Sequence, residues 1–553
     1  MKVERIGDRL ISKGVLSPDQ LEFALKEQKR TGERLGTILR QLNLITEDDL
    51  AMAIADSAGI EHLSIRNLSI DPSVVNALPE AVARKYKVFP IAVENNSVTV
   101  AMADPLDVGT IDRLQQQTRR YVKVVSSTEF DILTTIDKYY GAVREAGSLE
   151  EIIEDAVRQT EAKGTGEARE DLALVAPVIK LIDVLISTGV AERATDIHFE
   201  PEKNLVRIRF RIDGVLKQGP YLPKKLERAI NSRIKIMGNL NISESRLPQD
   251  GKATISVYGK PIDVRIATFP TLFGENVVLR VLNKENLIIG LEQLGFSEKN
   301  LSRLTQALHK PNGICLVTGP TGSGKTTTLY AALMGISTPE RKIITLEDPV
   351  EYELPLIRQS QINVRAGLTY ATGLRAILRQ DPDIIFVGEM RDEETIDTAI
   401  RAALTGLLVF STLHTNDSAA TIPRLLDMGV EPFLVASSLV GVVAQRLVRL
   451  ICKYCKEEVQ PKPELVRRLN APDVKFFAGK GCKNCEGTGY RGRTVIAEVM
   501  LMSPAIQKAI MERADASIVR RISHEEGMET MLEDGLHKAV NGVTTLEEVA
   551  RVV

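Results

Sequence analysis

Short apolar runs alternate with polar, turn-forming segments along the second half of the chain. Four of these runs are four or five residues long: Ile314–Val317, Lys342–Leu346, Ile384–Val387 and Leu408–Thr412. Runs of this length, bounded by Gly, Pro and Asp, are typical of buried strands in a parallel sheet. Because the carboxyl ends of parallel strands meet at one edge of a sheet, the polar residues after each run are predicted to form one site.

The first half of the chain has a different pattern. In residues 5–57, apolar residues recur three and four positions apart, which predicts paired short helices, and the pattern occurs twice. Alternating apolar residues predict strands over Val98–Met102 and Val206–Ile212, the second with a basic face of three arginines. Residues 144–171 are charged and small, which predicts a linker with one helix over Leu149–Gln159.

A phosphate-binding loop follows the first of the four apolar runs. The pattern Gly-x4-Gly-Lys-Thr lies between a predicted strand and a predicted helix over Thr327–Met334, which is the context that this motif needs. Backbone N–H groups and the helix N-terminus are suited to hold the β-phosphate, with Lys325 reaching the β/γ oxygens and Thr326 reaching Mg2+. The predicted nucleotide-binding residues are Gly319, Pro320, Thr321, Gly322, Ser323, Gly324, Lys325, Thr326 and Thr327.

The other three runs deliver acids and a histidine to the same predicted edge. Phosphoryl transfer to water needs a carboxylate that holds Mg2+ or its waters and a group that orients the attacking water. Glu389 suits the metal-side role, Glu347 suits the polarisation of water, and the two assignments could be exchanged. His414 is a candidate sensor of the γ-phosphate. The alternative is that these side chains cap turns or are solvated, which is a more even choice for Glu351 and Glu353.

The cysteines indicate a metal site. Cys452/Cys455 and Cys482/Cys485 are two C-x2-C pairs separated by 26 residues, the arrangement in which two knuckles supply four thiolates to one tetrahedral Zn2+. A redox-active disulfide and an empty reduced cluster are the alternatives. The fifth, Cys315, lies in an apolar run and is predicted to be a buried small hydrophobe.

Composition restricts the class of protein. The chain has 553 residues, a length that predicts several domains, and a formal net charge of -2, so nothing indicates a chain-wide nucleic-acid surface. No apolar run approaches the length of a membrane span, and residues 1–5 lack the apolar core of a signal peptide. We therefore expect a cytoplasmic protein that reaches a membrane only through partners.

These motifs resemble those of the ATPases that drive type II secretion and type IV pilus assembly. The Walker A, Asp box, Walker B and His box of that family correspond in order and spacing to Gly319–Thr326, Ile343–Glu353, Ile377–Asp392 and Thr405–Arg424. Many relatives carry a histidine where this chain has Leu407, so His414 is the only histidine of the fourth motif. The resemblance implies a multidomain α/β protein with a RecA-like ATPase core, a preceding PAS-like α+β domain, and a helical and mixed N-terminal region.

The resemblance also implies a division into domains and roles for two arginines. In the family, the domain before the motor sits against the nucleotide of a neighbouring subunit, which makes Arg265 and Arg280 candidates for the γ-phosphate; solvated arginines on strands are the alternative. Arg375, Arg379 and Arg391 are further candidates for bridging subunits. The predicted domains are residues 1–62 (tandem-repeat helices), 63–142 (a second N-terminal α/β module), 143–175 (linker), 176–285 (PAS-like) and 286–553 (motor, with a cysteine-bearing insert over 450–492 and C-terminal helices).

The tandem repeat at the front resembles the cyclic-di-GMP-binding N-terminal domain of some secretion ATPases. The positions that would meet the guanines and phosphates are Arg5, Gly7, Gly14 and Gln28 in the first copy and Arg34 and Gly36 in the second. The second copy departs from the pattern, with Asn43 for glycine, Ser57 for glutamine and Arg40 at an apolar position. A helical bundle whose repeat serves only packing is the alternative.

Together these features predict an ATP-hydrolysing homohexameric motor that uses ATP, Mg2+ and Zn2+. It is expected to act on an inner-membrane platform protein, peripheral to the inner membrane, and to power type II secretion through pseudopilus assembly. Type IV pilus extension is the first alternative. A DNA-uptake or conjugation motor and a regulator that binds a second messenger are the others. No nucleic-acid partner is expected, because a nucleic-acid motor predicts a basic channel and the neutral chain with few aromatic residues offers little support for one.

Overall fold

A computed structural model describes most of the chain. The described residues are 6–12, 15–33, 35–42, 44–65, 68, 70, 72–75, 77–94, 96–136, 139–140, 149–162, 175–257, 260–282, 290–472 and 474–553. They divide into two compact units, one formed by Met1–Asp49 with Asn286–Val553 and the other by Leu50–Glu285.

Four helices open the chain. They are α1 (Ile6–Ser12), α2 (Pro18–Thr31), α3 (Leu35–Gln41) and α4 (Glu47–Ala58). Ser17 caps α2 through a capping box with Gln20, and the left-handed Gly32 ends the helix. The paired helices predicted from the three-and-four spacing are thus confirmed. In the first unit, Gln20 also donates from Nε2 to the backbone oxygen of Met334 at 3.4 Å.

The unit Leu50–Glu285 contains two sheets. The smaller sheet has the order β1-β2-β3 and includes the strand predicted over Val98–Met102. The helices and strands of this part of the chain are α5 (Pro72–Val75), α6 (Glu80–Tyr86), β1 (Val88–Glu94), β2 (Ser97–Met102), α7 (Val108–Thr118), β3 (Tyr121–Ser126) and α8 (Glu129–Ile136).

The larger sheet of this unit is antiparallel, with the order β6-β5-β4-β9-β8-β7. One face packs on helices through buried apolar side chains, including those of Ile208 and Phe210, so the predicted α+β character is confirmed. The elements are α9 (Leu149–Ala162), α10 (Ala176–Ala191), β4 (Ala194–Pro201), β5 (Leu205–Ile212), β6 (Val215–Pro223), α11 (Glu227–Met237), β7 (Gln249–Val257), β8 (Lys260–Thr271) and β9 (Gly274–Leu282).

The larger part of the first unit is built on a seven-stranded sheet with the order β12-β11-β13-β14-β10-β15-β18. Neighbouring strands are parallel except for the edge strand β18, which runs antiparallel to β15. The strands of this sheet are β10 (Gly313–Thr318), β11 (Ile343–Glu347), β12 (Arg358–Gln361), β13 (Ile384–Val387), β14 (Leu408–Leu413), β15 (Leu439–Ile451) and β18 (Tyr490–Leu501). A separate two-stranded sheet is formed by β16 (Lys456–Val459) and β17 (Phe476–Gly479). All four predicted buried strands are present in the seven-stranded sheet.

Helices cover both faces of this sheet. They are α12 (Glu298–Leu308), α13 (Lys325–Ile336), α14 (Tyr370–Ile377), α15 (Glu393–Leu404), α16 (Thr421–Asp427), α17 (Pro432–Ser438), α18 (Pro463–Leu469), α19 (Pro504–Met511), α20 (Ala516–Glu525), α21 (Met531–Val540) and α22 (Leu546–Val552). Alternate residues of β10 enter two separate cores, Ile314 and Leu316 on one face and Cys315 and Val317 on the other. Burial on both faces is why these strands read as continuous apolar runs.

Among the described helices, none is both long enough and apolar enough to cross a lipid bilayer.

Candidate nucleotide site and cysteine cluster

The phosphate loop connects the end of β10 to the start of α13. All three of its glycines have backbone angles that other residues rarely adopt, with φ of +147° at Gly319, +79° at Gly322 and +89° at Gly324. A Cβ atom at Gly319 would lie 2.6 Å from the backbone oxygen of Gln445, so the loop also needs glycine for its close approach to β15. Thr326 and Thr327 lie in the first turn of α13.

Lys325 is partly buried at the first position of α13. Its Nζ donates to the backbone oxygens of Gly319 at 2.8 Å and Pro320 at 3.1 Å. Burial lowers the pKa of Lys325 to about 8, opposed by the Glu389 carboxylate and assisted by the Arg446 guanidinium. The ammonium group is therefore held by the backbone of the same loop that is predicted to bind phosphate.

Glu389 and His414 meet beside this lysine. Glu389 follows β13, and one of its carboxylate oxygens lies 3.8 Å from Nε2 of His414, which follows β14. The other oxygen lies 2.5 Å from Nη2 of Arg391. Burial and the Lys325 ammonium lower the pKa of His414, with Glu389 opposing, so the imidazole is neutral at pH 7. Two of the residues predicted for the site are thus brought to the edge where Lys325 lies.

Glu347 is in a different environment from Glu389. Its side chain is buried, and its carboxylate accepts hydrogen bonds from the hydroxyls of Thr345 and Tyr330 and from Nε2 of Gln359, the last at 3.1 Å. Burial raises the pKa of Glu347 and these hydrogen bonds oppose the rise. In this conformation the carboxylate oxygens are directed into a side-chain cluster.

Sequence reasoning missed Tyr330 and Gln359, the two residues that complete this cluster. Tyr330 lies in α13, packs edge-on against Tyr352 and is almost fully buried. Its hydroxyl also accepts a hydrogen bond from the backbone N–H of Glu351 at 3.4 Å. The only signal in the sequence was a tyrosine in an apolar helix, since a buried phenol needs a hydrogen-bond partner.

Arg265 and Arg280 lie on the large antiparallel sheet of the other unit. They are cross-strand partners in β8 and β9. The same row continues on both sides: Arg280 pairs with Asp196 of β4, Asp196 with Arg211 of β5, and Arg265 with Lys252 of β7. Asp196 Oδ1 lies 3.0 Å from Nε of Arg280, and Asp196 Oδ2 lies 3.7 Å from Nε of Arg211. The row combines four cations with one carboxylate.

Several other predicted cations have acidic partners within the chain. Arg375 forms an ion pair with Glu394, and the side chains of both are exposed. On β5, Arg209 pairs with Glu200 at 2.6 Å and Arg207 with Glu202 at 2.6 Å. The basic face predicted for this strand is present, but neighbouring carboxylates partly neutralise it.

The four cysteines of the two C-x2-C pairs converge, although the two pairs lie 30 positions apart in the sequence. Their sulfur atoms all lie within 4.8 Å of one another. Three Sγ–Sγ distances are 3.8 Å (Cys452–Cys482), 3.7 Å (Cys455–Cys485) and 3.8 Å (Cys482–Cys485). Thiolates about 2.3 Å from one tetrahedral Zn2+ would be separated by about 3.8 Å, so this arrangement fits a zinc ion. None of the four forms a disulfide, and the separations are far from that of an S–S bond.

Backbone groups around the cluster favour a thiolate at Cys485. The N–H groups of Cys482 and Gly489 point at the Cys485 sulfur, at 3.1 and 3.2 Å. Burial opposes ionisation, but these donors and the Cys455 and Cys482 thiols together lower the pKa of Cys485 to about 7. At Cys452 and Cys455, burial instead raises the thiol pKa, to about 12 at Cys455. The fifth cysteine, Cys315, is fully buried among apolar residues, and burial raises the pKa of its thiol to about 12, as expected for a small hydrophobe.

Half of the residues predicted for the tandem-repeat ligand site lie outside the described residues, namely Arg5, Gly14 and Arg34, as does Asn43. Gly7 packs against Leu21, whose side chain would be 2.7 Å from an added Cβ, so this glycine has a packing role. Gln28 donates from Nε2 to the backbone oxygen of Glu33 at 3.2 Å, near the end of α2. Gly36 lies in α3.

Comparison with known proteins places the chain in a family. The family described as Type II/IV secretion system protein matches residues 171–551, and the MshEN domain matches residues 58–146. The type II secretion system protein E of Xanthomonas campestris is 42% identical over 99% of this chain and 98% of its own length. The type IV pilus assembly ATPase PilB of Thermus thermophilus is also 42% identical over 99% of this chain, which spans 65% of that longer protein.

A solved structure agrees on the fold alone. The Legionella pneumophila ATPase DotB superposes with a TM-score of 0.50 at 20% identity, over 68% of this chain and 95% of the DotB chain. The match to the secretion-system family includes the phosphate loop, Glu389 and His414. The chain therefore belongs to the Type II/IV secretion system protein family and is an ATPase with a RecA-like core.

Proposed function

We propose that this protein is an ATP-driven motor that powers pseudopilus assembly in type II secretion. The observation that carries the proposal is the meeting of a complete phosphate loop, Lys325, Glu389 and His414 at one edge of a parallel sheet. Relatives named for type II secretion and for type IV pilus assembly are equally similar, so pilus extension is the alternative. The amino-acid sequence of Gly441–Val448 is our reason for preferring type II secretion to pilus extension.

In this proposal, residues 319–327 bind ATP and Glu389 holds Mg2+ or its waters. His414, neutral at pH 7, lies within reach of Glu389 and is positioned to respond to the γ-phosphate. Thr326 and Glu389 would hold Mg2+ or its waters, and the ion would supply positive charge that offsets the charge developing during phosphoryl transfer.

The burial of Glu347 changes the role that we propose for it. A carboxylate that accepts three side-chain hydrogen bonds would have to break them before it polarised water. We propose that Glu347 and Tyr330 instead orient the loop after β11. That loop carries Glu351, which is partly exposed and whose charge contributes to the raised pKa of Glu347. We propose Glu351 as the carboxylate that orients water in place of Glu347.

The experiment compares four variants by nucleotide binding and by hydrolysis. Lys325→Ala should weaken ATP binding at least about 100-fold, because a charge-assisted contact to phosphate is lost. Glu389→Gln should bind ATP but lose turnover by about 100-fold or more. Glu351→Gln should resemble Glu389→Gln, whereas Glu347→Gln should keep turnover within about tenfold. Wild-type turnover in Glu389→Gln would overturn the metal-side assignment, and a larger loss in Glu347→Gln than in Glu351→Gln would restore Glu347 as the residue that orients water.

We also propose a homohexameric ring that acts on an inner-membrane platform protein from the cytoplasmic side. In such a ring Arg265 and Arg280 would reach the γ-phosphate of a neighbouring subunit. Zn2+ would be held by Cys452, Cys455, Cys482 and Cys485, whose sulfur separations fit that ion. The proposed motor has domains at residues 1–62, 63–142, 176–285 and 286–553, with a linker over residues 143–175. Restoring secretion, but not pilus extension, in strains that lack the respective motor would distinguish the two functions.

Cyclic di-GMP is the proposed ligand of the tandem repeat at the front. Calorimetry with the full chain should show binding that Arg5→Ala weakens, because a charge-assisted contact is removed. Since Asn43 and Ser57 depart from the repeat, the pair Asn43→Gly and Ser57→Gln should strengthen binding. If neither the natural nor the restored chain binds, the repeat is a packing unit and cyclic di-GMP is not its ligand.

A further inference from the structure

The strand β15 supplies two residues beside the phosphate loop that belong to none of the four motifs. In the parallel register of β10 and β15, Thr318 is opposite Ala444. Gln445 therefore lies level with Gly319, the first residue of the loop. Its side chain is almost fully buried, and its Nε2 donates to the backbone oxygen of Ser323 at 2.9 Å.

This hydrogen bond determines which way one peptide of the loop faces. In a trans peptide the C=O and the following N–H point in opposite directions. Because Gln445 holds the Ser323 oxygen toward β15, the N–H of Gly324 points away from β15. Backbone N–H groups of this loop are the donors that hold nucleotide phosphates. The left-handed φ of +89° at Gly324 belongs to the same arrangement.

Packing alone does not explain a glutamine at this position. Among the described residues, the other amide atom of Gln445, Oε1, has no hydrogen-bond partner although it is buried. A buried acceptor without a partner costs stability, which an apolar side chain of similar shape would avoid. The contribution of the glutamine is therefore its bond to the loop.

Arg446, the next residue, faces the loop that carries His414. Its Nη2 donates to the backbone oxygen of Asn416 at 3.0 Å, and its Nη1 donates to the backbone oxygen of Gln445 at 3.1 Å. The same loop is attached to the end of β10, since Thr415 donates from its backbone to Oγ1 of Thr318 at 2.8 Å. Arg446 thus links the strand that supports the phosphate loop to the segment after β14.

We propose that Gln445 and Arg446 are positioning residues of the ATPase site. Gln445 orients the Ser323–Gly324 peptide toward the phosphates, and Arg446 holds the His414 loop in register with it. This inference rests on the proposed ATPase site but adds residues outside its motifs. It separates two effects: Gln445 acts on the affinity for any nucleotide that has a β-phosphate, and Arg446 acts on hydrolysis.

The first test uses Gln445→Met, which keeps the side-chain volume and removes the donor. Dissociation constants for Mg-ADP and Mg-ATP should both rise by about tenfold, which corresponds to the loss of about 1.4 kcal/mol. The melting temperature should change little, because removal of the buried unpartnered Oε1 offsets the loss of the hydrogen bond to the Ser323 oxygen. Gln507→Met is the matched control, since Gln507 also donates from Nε2 to a backbone oxygen, that of Ala436 at 3.0 Å. It should leave both dissociation constants unchanged.

The second test uses Arg446→Lys, which keeps the charge but loses the two-pronged contact. Turnover should fall about tenfold or more while the affinity for Mg-ADP stays within twofold. Gln445→Met with unchanged ADP affinity, or Gln507→Met with an equal loss, would overturn the role of Gln445. Arg446→Lys that loses ADP affinity as much as turnover would overturn the role of Arg446. Neither result depends on Lys325→Ala, whose retention of ATP binding would instead contradict the proposed function.

Discussion

At the scale of single residues, the nucleotide site satisfies its central cation with its own backbone. Lys325 donates to two carbonyl oxygens of the loop, so phosphate binding must exchange these hydrogen bonds for contacts with anionic oxygens. The exchange is favourable because hydrogen bonds between charged groups are stronger than those to neutral carbonyls. It also changes the protonation equilibrium of the lysine.

Nucleotide affinity should therefore depend on pH above about 8. Burial lowers the pKa of Lys325 to about 8 in the free protein, and bound phosphates favour the charged form and raise this pKa. ATP binding should take up protons above the free pKa, and affinity should fall by up to about tenfold per pH unit there. Calorimetry from pH 7 to 9.5 in buffers of different ionisation enthalpy measures this uptake. Lys325→Arg, which does not titrate, should lack it, and a wild-type affinity that stays flat to pH 9.5 would contradict the prediction.

At the scale of elements, the cysteine cluster lies at the base of an insert between two paired strands. Ile451 at the end of β15 pairs with Tyr490 at the start of β18, and the residues between them include β16, β17 and α18. The backbone N–H of Cys452 donates to the backbone oxygen of Gly489 at 2.9 Å. The cluster therefore lies where the insert joins the sheet. A metal ion held there would stabilise the insert by removing loop-closure entropy from its unfolded state.

Loss of one thiolate should release the metal and loosen only this insert. Elemental analysis should find one zinc per chain in the natural protein and none in Cys482→Ser. Hydrogen exchange should speed up over residues 450–492 while ATP binding stays within twofold, because the phosphate loop does not use these residues. Cys315→Ala is the control, and it should keep its zinc because Cys315 lies in β10. A zinc-free natural protein with a Cys452–Cys455 disulfide would favour redox chemistry instead.

At the scale of the whole molecule, the cationic row of the large antiparallel sheet is the surface proposed to act between subunits. The Arg280 side chain is 57% exposed although it pairs with Asp196. Exposed ion pairs of this kind contribute about 0–1 kcal/mol to stability, so removal of this arginine should change folding little. If Arg280→Ala lowers hydrolysis strongly while the fold keeps its stability, the arginine acts at the nucleotide site of another subunit.

Arg265→Ala and Arg280→Ala should each lower hydrolysis by about 100-fold without a comparable fall in melting temperature. In rings mixed with Lys325→Ala subunits, activity should differ from the weighted average of the two pure proteins, because each arginine then serves a neighbouring site. Arg207→Ala is the matched control, since Arg207 lies on β5 of the same sheet and also pairs with a carboxylate, that of Glu202. Mixed rings that always give the average would remove the support for action across subunits.

Elements and motifs that depend on local order could be predicted from the amino-acid sequence alone. The four buried strands, the phosphate loop, the paired front helices and the two C-x2-C knuckles were predictable because apolar period, glycine and ligand spacing act within a few residues. The approach of Glu389 and His414 was predictable too, since parallel strands deliver their ends to one edge.

Tertiary packing determines which polar groups are available at that edge. Glu347 ends β11 and Glu389 follows β13, yet Tyr330 and Gln359 enclose the carboxylate of Glu347, and no local pattern predicts those contacts. The bond from Gln445 to Ser323 joins residues 122 positions apart. The physical reason is the same in both cases: hydrogen bonding and burial depend on which distant segments pack together, and the local spacing of residues does not encode that.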